Sequence, residues 1–174
     1  MTEPDEIANV FGIFHDGTIA GGSNSGSAAE LLVEIECLAE RVRQDYRRFT
    51  ICLSDLTVVR FVPWTDAGAD SIADITDFSE IVGLDLGVLS ADSMGSTVRV
   101  ACTQKRSGYG YSGGFLEIAA GGCQVRDEGG SEWALDALRK LSDAYWSDWA
   151  ARSKNTDHRS PITAHRSPLT DHTN

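Results

Sequence analysis

The 174-residue sequence lacks any run of about 18 apolar residues, so it predicts no membrane-spanning helix. It is also poor in positive charge, since 15 Lys and Arg residues stand against 26 Asp and Glu residues, for a formal net charge of −11. Nucleic-acid binding needs a cationic surface to contact phosphates, so we expect no nucleic-acid partner. Hydrophobic residues make up 41% and charged residues 24%, which is typical of a globular protein.

Cysteine spacing and the N-terminus give no sign of a metal centre or of an exported chain. The four cysteines are Cys37, Cys52, Cys102 and Cys123. They form no C-x-x-C pair and each lies within an apolar run, so we expect buried, reduced thiols, with no metal and no cofactor. The N-terminus carries Glu3, Asp5 and Glu6 where a secretory signal would carry Lys or Arg, which predicts a cytoplasmic location.

The signatures of several common enzyme classes are missing. The sequence holds no G-x-S-x-G nucleophile motif and no Walker-type G-K-[ST] phosphate loop. A G-x-G-x-x-G string occurs at Gly108, Gly110 and Gly113, but a dinucleotide site needs a helix after it. The β-prone run FLEIAA follows instead, so we interpret the glycines as the loop of a β-hairpin.

The composition changes near residue 151 and divides the chain in two. Residues 152–174 contain no aromatic residue, repeat HRSP with a seven-residue period and hold three of the four histidines. Such a polar segment buries too little surface to offset the entropy of ordering, so we predict a disordered tail. Residues 1–151 are predicted to form a single globular domain with 11 cations, 24 acids and a net charge of −13.

Short β-prone segments, separated by Gly and Asp, alternate along the body of the chain. We predict an α+β fold in which a mainly antiparallel sheet of five or more strands carries a C-terminal helix packed on one face. The predicted strands are 10–19, 49–64, 84–89, 97–103, 115–121 and 124–126, and the segment GGSNSGS at 21–27 is predicted as a loop. The first strand is expected to break near the turn pair Asp16-Gly17.

Two helical segments are indicated, and one of them is ambiguous. Residues 131–150 predict a helix that Ser131 caps and in which apolar side chains recur every three or four residues. Within 29–48 apolar residues also recur at helical spacing, but over 31–37 they alternate as they would in a strand. Helix and strand therefore both stay open for this segment.

Four short patterns resemble those of a group of small uncharacterised bacterial proteins. They are F-H-D-G-T-I at 14–19, Pro63-Trp64 after a β-prone run, L-S-A at 89–91 and Y-W-x-x-W at 145–149. The resemblance implies a bacterial protein in which 31–37 forms a strand followed by a loop. It implies no activity and no functional residues, because none is established for that group.

His15 and Asp16 are the first candidates for chemistry, because His15 is the only histidine before residue 152 and has a carboxylate beside it. A small hydrolase or metal-dependent enzyme centred on this pair would need further acids. The acids considered are Asp55, Asp66 and Glu117. The structural alternative is a turn in which Asp16 hydrogen-bonds its own backbone and Gly17 takes a positive φ.

Acidic and aromatic clusters are the candidates for binding. The candidate binding residues are Asp66, Asp70, Asp74, Asp77, Trp146 and Trp149. The spacing of the aspartates does not match an EF-hand loop, so we expect a solvated acidic surface that suits a basic partner. Trp146 projects away from the apolar stripe of its helix, so it either packs under a loop or marks a contact surface.

Three functions are open on these patterns. The preferred hypothesis is a non-enzymatic, acidic cytoplasmic binding module for a basic protein, by analogy with bacterial immunity proteins that neutralise basic toxins. The alternatives are a hydrolase or metal-dependent enzyme centred on His15 and Asp16, and a structural or accessory subunit with a large apolar patch. We expect no membrane partner, and the identity of the partner and the oligomeric state are left open.

Overall fold

The computed structural model describes residues 3–64, 72–105 and 110–156, and it joins their strands into one antiparallel sheet. The strands are β1 (Thr18–Ser25), β2 (Ala28–Glu34), β3 (Arg48–Ser54), β4 (Val58–Pro63), β5 (Leu86–Met94), β6 (Thr97–Gln104), β7 (Gly113–Ala119), β8 (Gly122–Asp127) and β9 (Glu132–Trp133). The helices are α1 (Glu3–Ile13), α2 (Glu36–Val42), α3 (Phe78–Val82) and α4 (Leu135–Thr156). Across the sheet the order is β4-β7-β6-β5-β1-β2-β3-β8-β9. The predicted α+β fold is confirmed.

One face of the sheet forms the hydrophobic core. Strand β6 alternates buried Val98, Val100 and Cys102 with more exposed residues, and β3 does the same with Phe49 and Ile51. Because side chains alternate between the two faces of a strand, this period of two turns the apolar side chains toward the same side. Full burial of each large apolar side chain stabilises the fold by about 1.5–3 kcal/mol.

Helix α1 packs its apolar side into this core. Ile7, Val10 and Phe11 are buried at helical spacing, and the helix contacts β5, β6 and β8. Three acids occupy the first turn, where the helix dipole favours negative charge. The strand predicted over 10–19 is therefore wrong except at its end, because 10–13 belong to α1, 14–17 form the turn after it, and β1 begins at Thr18. Phe14 continues the helical spacing and is also fully buried.

Strand β1 pairs with β5 at only two positions, Thr18 with Gly87 and Ile19 with Leu86. Beyond them β1 continues with β2 as an antiparallel hairpin, whose register shifts just after Ile19. The loop predicted over 21–27 is wrong, because most of this glycine-rich segment belongs to β1. Within the described residues, the rest of β5 has a neighbouring strand on one side only, which is β6.

The small residues of β1 serve packing. A Cβ on Gly22 would lie 2.4 Å from the carbonyl oxygen of Glu30 and 3.3 Å from the ring of Phe78 in α3. Phe78 and Ile81 are buried, and α3 contacts β1 at this place. The glycines that suggest a loop are therefore the residues that let a helix approach a strand.

The ambiguous segment 29–48 contains both kinds of structure. Strand β2 covers its first part, where Leu31 and Val33 are buried, and the short helix α2 follows where the resemblance implied a loop. The run predicted over 49–64 forms two strands rather than one. These strands, β3 and β4, are not neighbours in the sheet, and Pro63 ends the second.

Strands β6 and β7 form the predicted hairpin. They pair antiparallel, with Thr103 opposite Gly113 and Val98 opposite Ile118. Gly108 lies outside the described residues. Gly113 is the first residue of β7, so the described end of the glycine string enters a strand and does not open a helix.

The C-terminal helix begins and ends later than predicted. Ser131 is not its N-cap, because β9 follows directly and its Trp133 donates the indole N–H to Asp127 at 3.0 Å. Helix α4 then runs to Thr156, beyond the predicted domain boundary, and 157–174 lie outside the described residues, so the division into domain and tail stays a prediction. None of the described helices has the length and apolar content needed to cross a membrane.

A buried carboxylate joins three strands on the face of the sheet opposite the core. Glu117 of β7 lies between Arg60 of β4 and Arg99 of β6 and accepts hydrogen bonds from both guanidiniums, at 2.6 and 2.8 Å. Burial raises the pKa of Glu117, but the hydrogen bonds from the two arginines outweigh it, so that the net pKa is lowered. Arg99 also lies over the ring of Phe115, 5.0 Å from its centroid.

We predict that Glu117→Gln lowers the free energy of unfolding at pH 7 by about 1–3 kcal/mol, because two guanidiniums lose a charged acceptor. Folding lowers the pKa of Glu117. The ionised carboxylate therefore contributes fully to the free energy of unfolding above the ordinary glutamate pKa of 4.5, and this contribution is lost as the pH falls through the pKa that Glu117 has in the folded protein. Urea denaturation of both proteins between pH 7 and pH 3 measures this difference.

The control is Glu34→Gln, which removes an exposed carboxylate from β2 and should change the free energy of unfolding by less than about 0.5 kcal/mol. A Glu117→Gln effect of the same size at every pH would contradict the role of ionisation.

Candidate functional site

A cleft of about 690 Å³ lies between helices α1 and α4 and strand β5, and we call it the α1–α4 cleft. Its lining consists of Asp5, Ala8, Asn9, Gly12, Ile13 and His15 from α1 and the following turn, Ala91, Asp92 and Ser93 from β5, and Arg139, Ser142, Asp143 and Trp146 from α4. The cleft thus brings together two of the predicted site residues, His15 and Trp146, which are far apart in the sequence.

Helical spacing explains why these residues share one space. Each lining residue of a helix lies three or four positions from another lining residue of the same helix, so each set lies on one face. A different side of each helix is buried in the core, through Phe11 in α1 and Leu138 in α4. The more polar sides that remain form two walls of the cleft, and β5 forms the third.

Gly12 widens the cleft. A Cβ built on this residue would meet no atom within 4 Å, so the glycine does not serve packing. A glycine within a helix is destabilising by about 0.5–1 kcal/mol relative to alanine. A residue of this kind is typical of a place where another molecule approaches the backbone closely.

His15 is held on the turn after α1 by two contacts. Its Nδ1 lies 2.9 Å from the carbonyl oxygen of Gly12, and because that oxygen can only accept, Nδ1 carries the proton. In the neutral ring Nε2 then keeps its lone pair, 4.0 Å from a carboxylate oxygen of Asp16. The imidazole also stacks on the indole of Trp146, with 4.9 Å between ring centroids and 19° between planes. The ring of His15 therefore stacks on the indole of Trp146 and makes no hydrogen bond to Asp16.

The turn that carries His15 and Asp16 differs from the expected one. The positive φ falls on Asp16, at 70°, and not on Gly17. Aspartate tolerates this left-handed conformation better than most residues. Gly17 is needed for space, since a Cβ there would lie 2.9 Å from the carbonyl oxygen of Phe14 and 3.0 Å from the side chain of Val33.

The two candidate tryptophans are neighbours on α4. Their ring centroids lie 5.9 Å apart, and Trp149 is 51% exposed, whereas Trp146 is half-buried with an indole N–H that finds no acceptor among the described residues. Tyr145 packs edge-on against Trp146 and carries Arg41 of α2 over its own ring. Arg41 also binds Asp148 at 2.5 Å and lowers the pKa of that carboxyl. These contacts fix α2 to α4 beside the cleft.

Two of the acids that line the α1–α4 cleft have no Lys or Arg partner among the described residues. The guanidinium in the lining, that of Arg139, lies 3.5 Å from Asp136 of its own helix. Among the described residues, no Lys or Arg forms an ion pair with Asp92 or Asp143. The cleft therefore offers acceptors to a cation from outside.

The two predicted binding aspartates that the structure describes, Asp74 and Asp77, are exposed and make contacts within the chain. Asp77 caps α3 by accepting hydrogen bonds from the N–H of Glu80 and the hydroxyl of Ser79, which together lower its pKa. Asp74 lies 3.4 Å from the guanidinium of Arg60. Neither side chain lines the α1–α4 cleft. The other two predicted aspartates, Asp66 and Asp70, lie outside the described residues.

Sequence reasoning missed Gly12, Asp92 and Asp143. Asp92 lies in the part of β5 beyond the predicted end of that strand, and Asp143 is one of several acids on a polar helix face. The glycine was the available signal, since it occupies an exposed helical position at which alanine would be more favourable. That signal becomes visible only when the segment is recognised as a helix rather than a strand.

The arrangement suits cation binding better than covalent or metal chemistry. Carboxylates accept charge-assisted hydrogen bonds from Lys and Arg, and aromatic faces attract the same groups. In the described part of the chain, no three His, Cys, Asp or Glu side chains are placed to hold a metal ion. Burial raises the pKa of Cys102 and of Cys123 to about 12, so neither thiol is a nucleophile at neutral pH.

We predict that Gly12→Ala raises the free energy of unfolding by about 0.5–1 kcal/mol, because the added methyl group meets only open space and alanine favours the helix. Gly114→Ala is the matched comparison and should lower it by about 1–3 kcal/mol. A Cβ on Gly114 would lie 2.4 Å from the carbonyl oxygen of Val62 and 2.5 Å from the ring of Phe61. Thermal and urea unfolding measure both changes, and a destabilising Gly12→Ala would show that the space is occupied.

Comparison with known proteins leaves the function to be argued from this cleft. No family model, curated protein or solved structure matches the chain. The resemblance to a group of small bacterial proteins therefore stays a prediction.

Proposed function

We propose that this chain is a binding protein rather than an enzyme, and that the α1–α4 cleft receives cationic side chains of a basic protein partner. The observation that carries the proposal is the pair of lining carboxylates, Asp92 and Asp143, which no Lys or Arg of the described residues neutralises. A Lys or Arg from a partner would form charge-assisted hydrogen bonds with them, and such bonds are roughly twice as strong as neutral ones.

The aromatic wall of the cleft supports the same ligand. Trp146 lines the cleft beside the acids and is braced by His15 on one side and by Tyr145 on another. Planar guanidinium groups stack on aromatic rings and bind carboxylates through a fixed fork of N–H donors. A cleft that combines both kinds of group therefore favours arginine over lysine.

The charge of the whole chain would assist the encounter with a basic partner. A formal net charge of −11 creates a negative potential that raises association rates with cationic proteins and repels acidic ones. The proposal thus keeps the predicted class of partner but moves the contact from the aspartates of 66–77 to the α1–α4 cleft. The four free cysteines are consistent with a reducing compartment, so we place the encounter in the cytoplasm.

A second candidate, a small hydrolase centred on His15 and Asp16, is favoured by one observation. The hydrogen bond from Nδ1 to Gly12 leaves the lone pair of Nε2 in the neutral His15 ring available beside the cleft. A panel of carboxylic and phosphoric ester substrates distinguishes the candidates. Turnover that His15→Asn abolishes and Asp143→Asn preserves would support the hydrolase.

An accessory subunit that assembles through a large apolar patch is the third possibility. The exposed large apolar side chains among the described residues are Leu89, Met94 and Trp149. Two of them lie on β5 and one on α4, and small-angle scattering over a range of concentrations would reveal assembly through them.

We predict that Nα-acetyl-arginine methylamide binds the α1–α4 cleft and shifts the indole N–H resonance of Trp146 in an NMR titration. The neutral analogue Nα-acetyl-citrulline methylamide should cause no saturable shift, because it lacks the charge that the carboxylates recognise. Asp143→Asn should weaken binding of the arginine probe about tenfold, which corresponds to about 1.4 kcal/mol.

Asp45→Asn is the control for this titration. It removes the same unit of charge from an exposed loop, where Asp45 pairs with Arg43, and should leave the affinity unchanged. Equal binding of the arginine and citrulline probes, or an equal loss from both substitutions, would contradict the proposal.

A further inference from the structure

We infer that the partner enters the α1–α4 cleft as an extended segment that adds a strand to the open edge of β5, along Ala91–Ser93. This inference rests on the proposed function, since it specifies how a basic partner is held there. It adds a main-chain contribution to the side-chain contacts already described.

The edge is open because β1 leaves β5 early. Their pairing ends with Thr18–Gly87, and the next contact on that side is with the turn, where Val88 exchanges backbone hydrogen bonds with Asp16 and Gly17 at 2.9 and 2.8 Å. Beyond Val88, and within the described residues, β5 pairs only with β6. A strand with one neighbour presents a row of unpaired N–H and C=O groups on its other side.

The cleft provides room along this edge. Ala91 and Ser93 belong to its lining, and Ser93 donates its hydroxyl hydrogen to Asp5 of α1 at 2.7 Å. Next to this bond the facing side of α1 carries the small residues Ala8 and Gly12. An added strand lies about 4.8 Å from its neighbour, whereas a helix with its side chains needs a width of about 10 Å. A helix also has no backbone groups free to pair with the edge. The space over Gly12 therefore fits an extended chain.

Charge complementarity specifies the composition of the segment. Alternate side chains of an added strand point to the same face, so every second residue would face the cleft. Asp143 and Asp92 are the unneutralised acids at this place, and Trp146 lies beside them. The segment should therefore carry arginine or lysine at alternating positions. A second copy of this acidic chain is a poor occupant, because two molecules of charge −11 repel each other.

The experiment uses the pentapeptide acetyl-Thr-Arg-Val-Arg-Thr-amide and two analogues that are methylated on backbone nitrogens. One analogue carries the methyl groups on the backbone nitrogens of both arginines, and the other carries them on those of the valine and the C-terminal threonine. Methylation removes the N–H donors that face one side of an extended peptide. The analogue that lacks the N–H donors facing β5 should bind at least tenfold more weakly than the parent peptide, and the other analogue should keep the parent's affinity. The parent should shift the amide resonances of Ala91 or Ser93 and slow their exchange with solvent.

Two variants of the protein complete the test. Gly12→Leu narrows the cleft without replacing a packed residue and should abolish peptide binding, whereas Gly12→Ala should weaken it much less. Circular dichroism and thermal unfolding verify that both variants are folded.

The outcomes separate this inference from the proposed function. Equal affinity of all three peptides, with shifts confined to Asp143 and Trp146, overturns strand addition and leaves cation binding intact. Binding of the single arginine probe without binding of any peptide does the same. Failure of both kinds of probe overturns both proposals. Shifts at Ala91 and Ser93 that appear on raising the protein concentration alone would identify a second copy as the occupant and overturn the inference.

Discussion

The burial of one side of helix α1 against β5, β6 and β8 is the constraint on which the rest of the structure depends. Because α1 and β1 are joined by a short turn, the position of the helix decides where β1 begins. That turn is fixed by the backbone bond from Asp16 to Val88, so β1 meets β5 for only two residue pairs. The open edge of β5 and the cleft beside it both follow from this connection.

Acidic side chains are paired with arginines on one side of the molecule, whereas two in the α1–α4 cleft lack such partners within the described part of the chain. Opposite the core, Glu117 is satisfied by Arg60 and Arg99, so that this carboxylate contributes to stability. In the α1–α4 cleft, Asp92 and Asp143 have no such partner among the described residues. Carboxylates left unneutralised beside an aromatic wall and an open strand edge are the features that a basic, extended segment would complement.

The sequence predicted the features that depend on local pattern and missed those that depend on tertiary packing. Alternation in β6 and apolar spacing in α4 gave the correct elements, because each carries one clear period. Read alone, the segment 10–19 predicts a strand, whereas the buried Ile7 and Phe11 show that the apolar side chains follow helical spacing. The site could be predicted only through His15 and Trp146, because the approach of β5 to α4 depends on tertiary packing that no short window encodes.

Photocrosslinking in the cells that naturally make the protein tests the central claim most directly. A benzoyl-phenylalanine residue in place of Trp149, which is exposed and lies 5.9 Å from Trp146, would report what enters the α1–α4 cleft without narrowing it. The same residue in place of Glu34 on β2 serves as the control. The account predicts one adduct with a basic protein from position 149 that is missing from position 34 and is lost when Asp143→Asn is added. An identical set of adducts from both positions, or an adduct unaffected by Asp143→Asn, would contradict it.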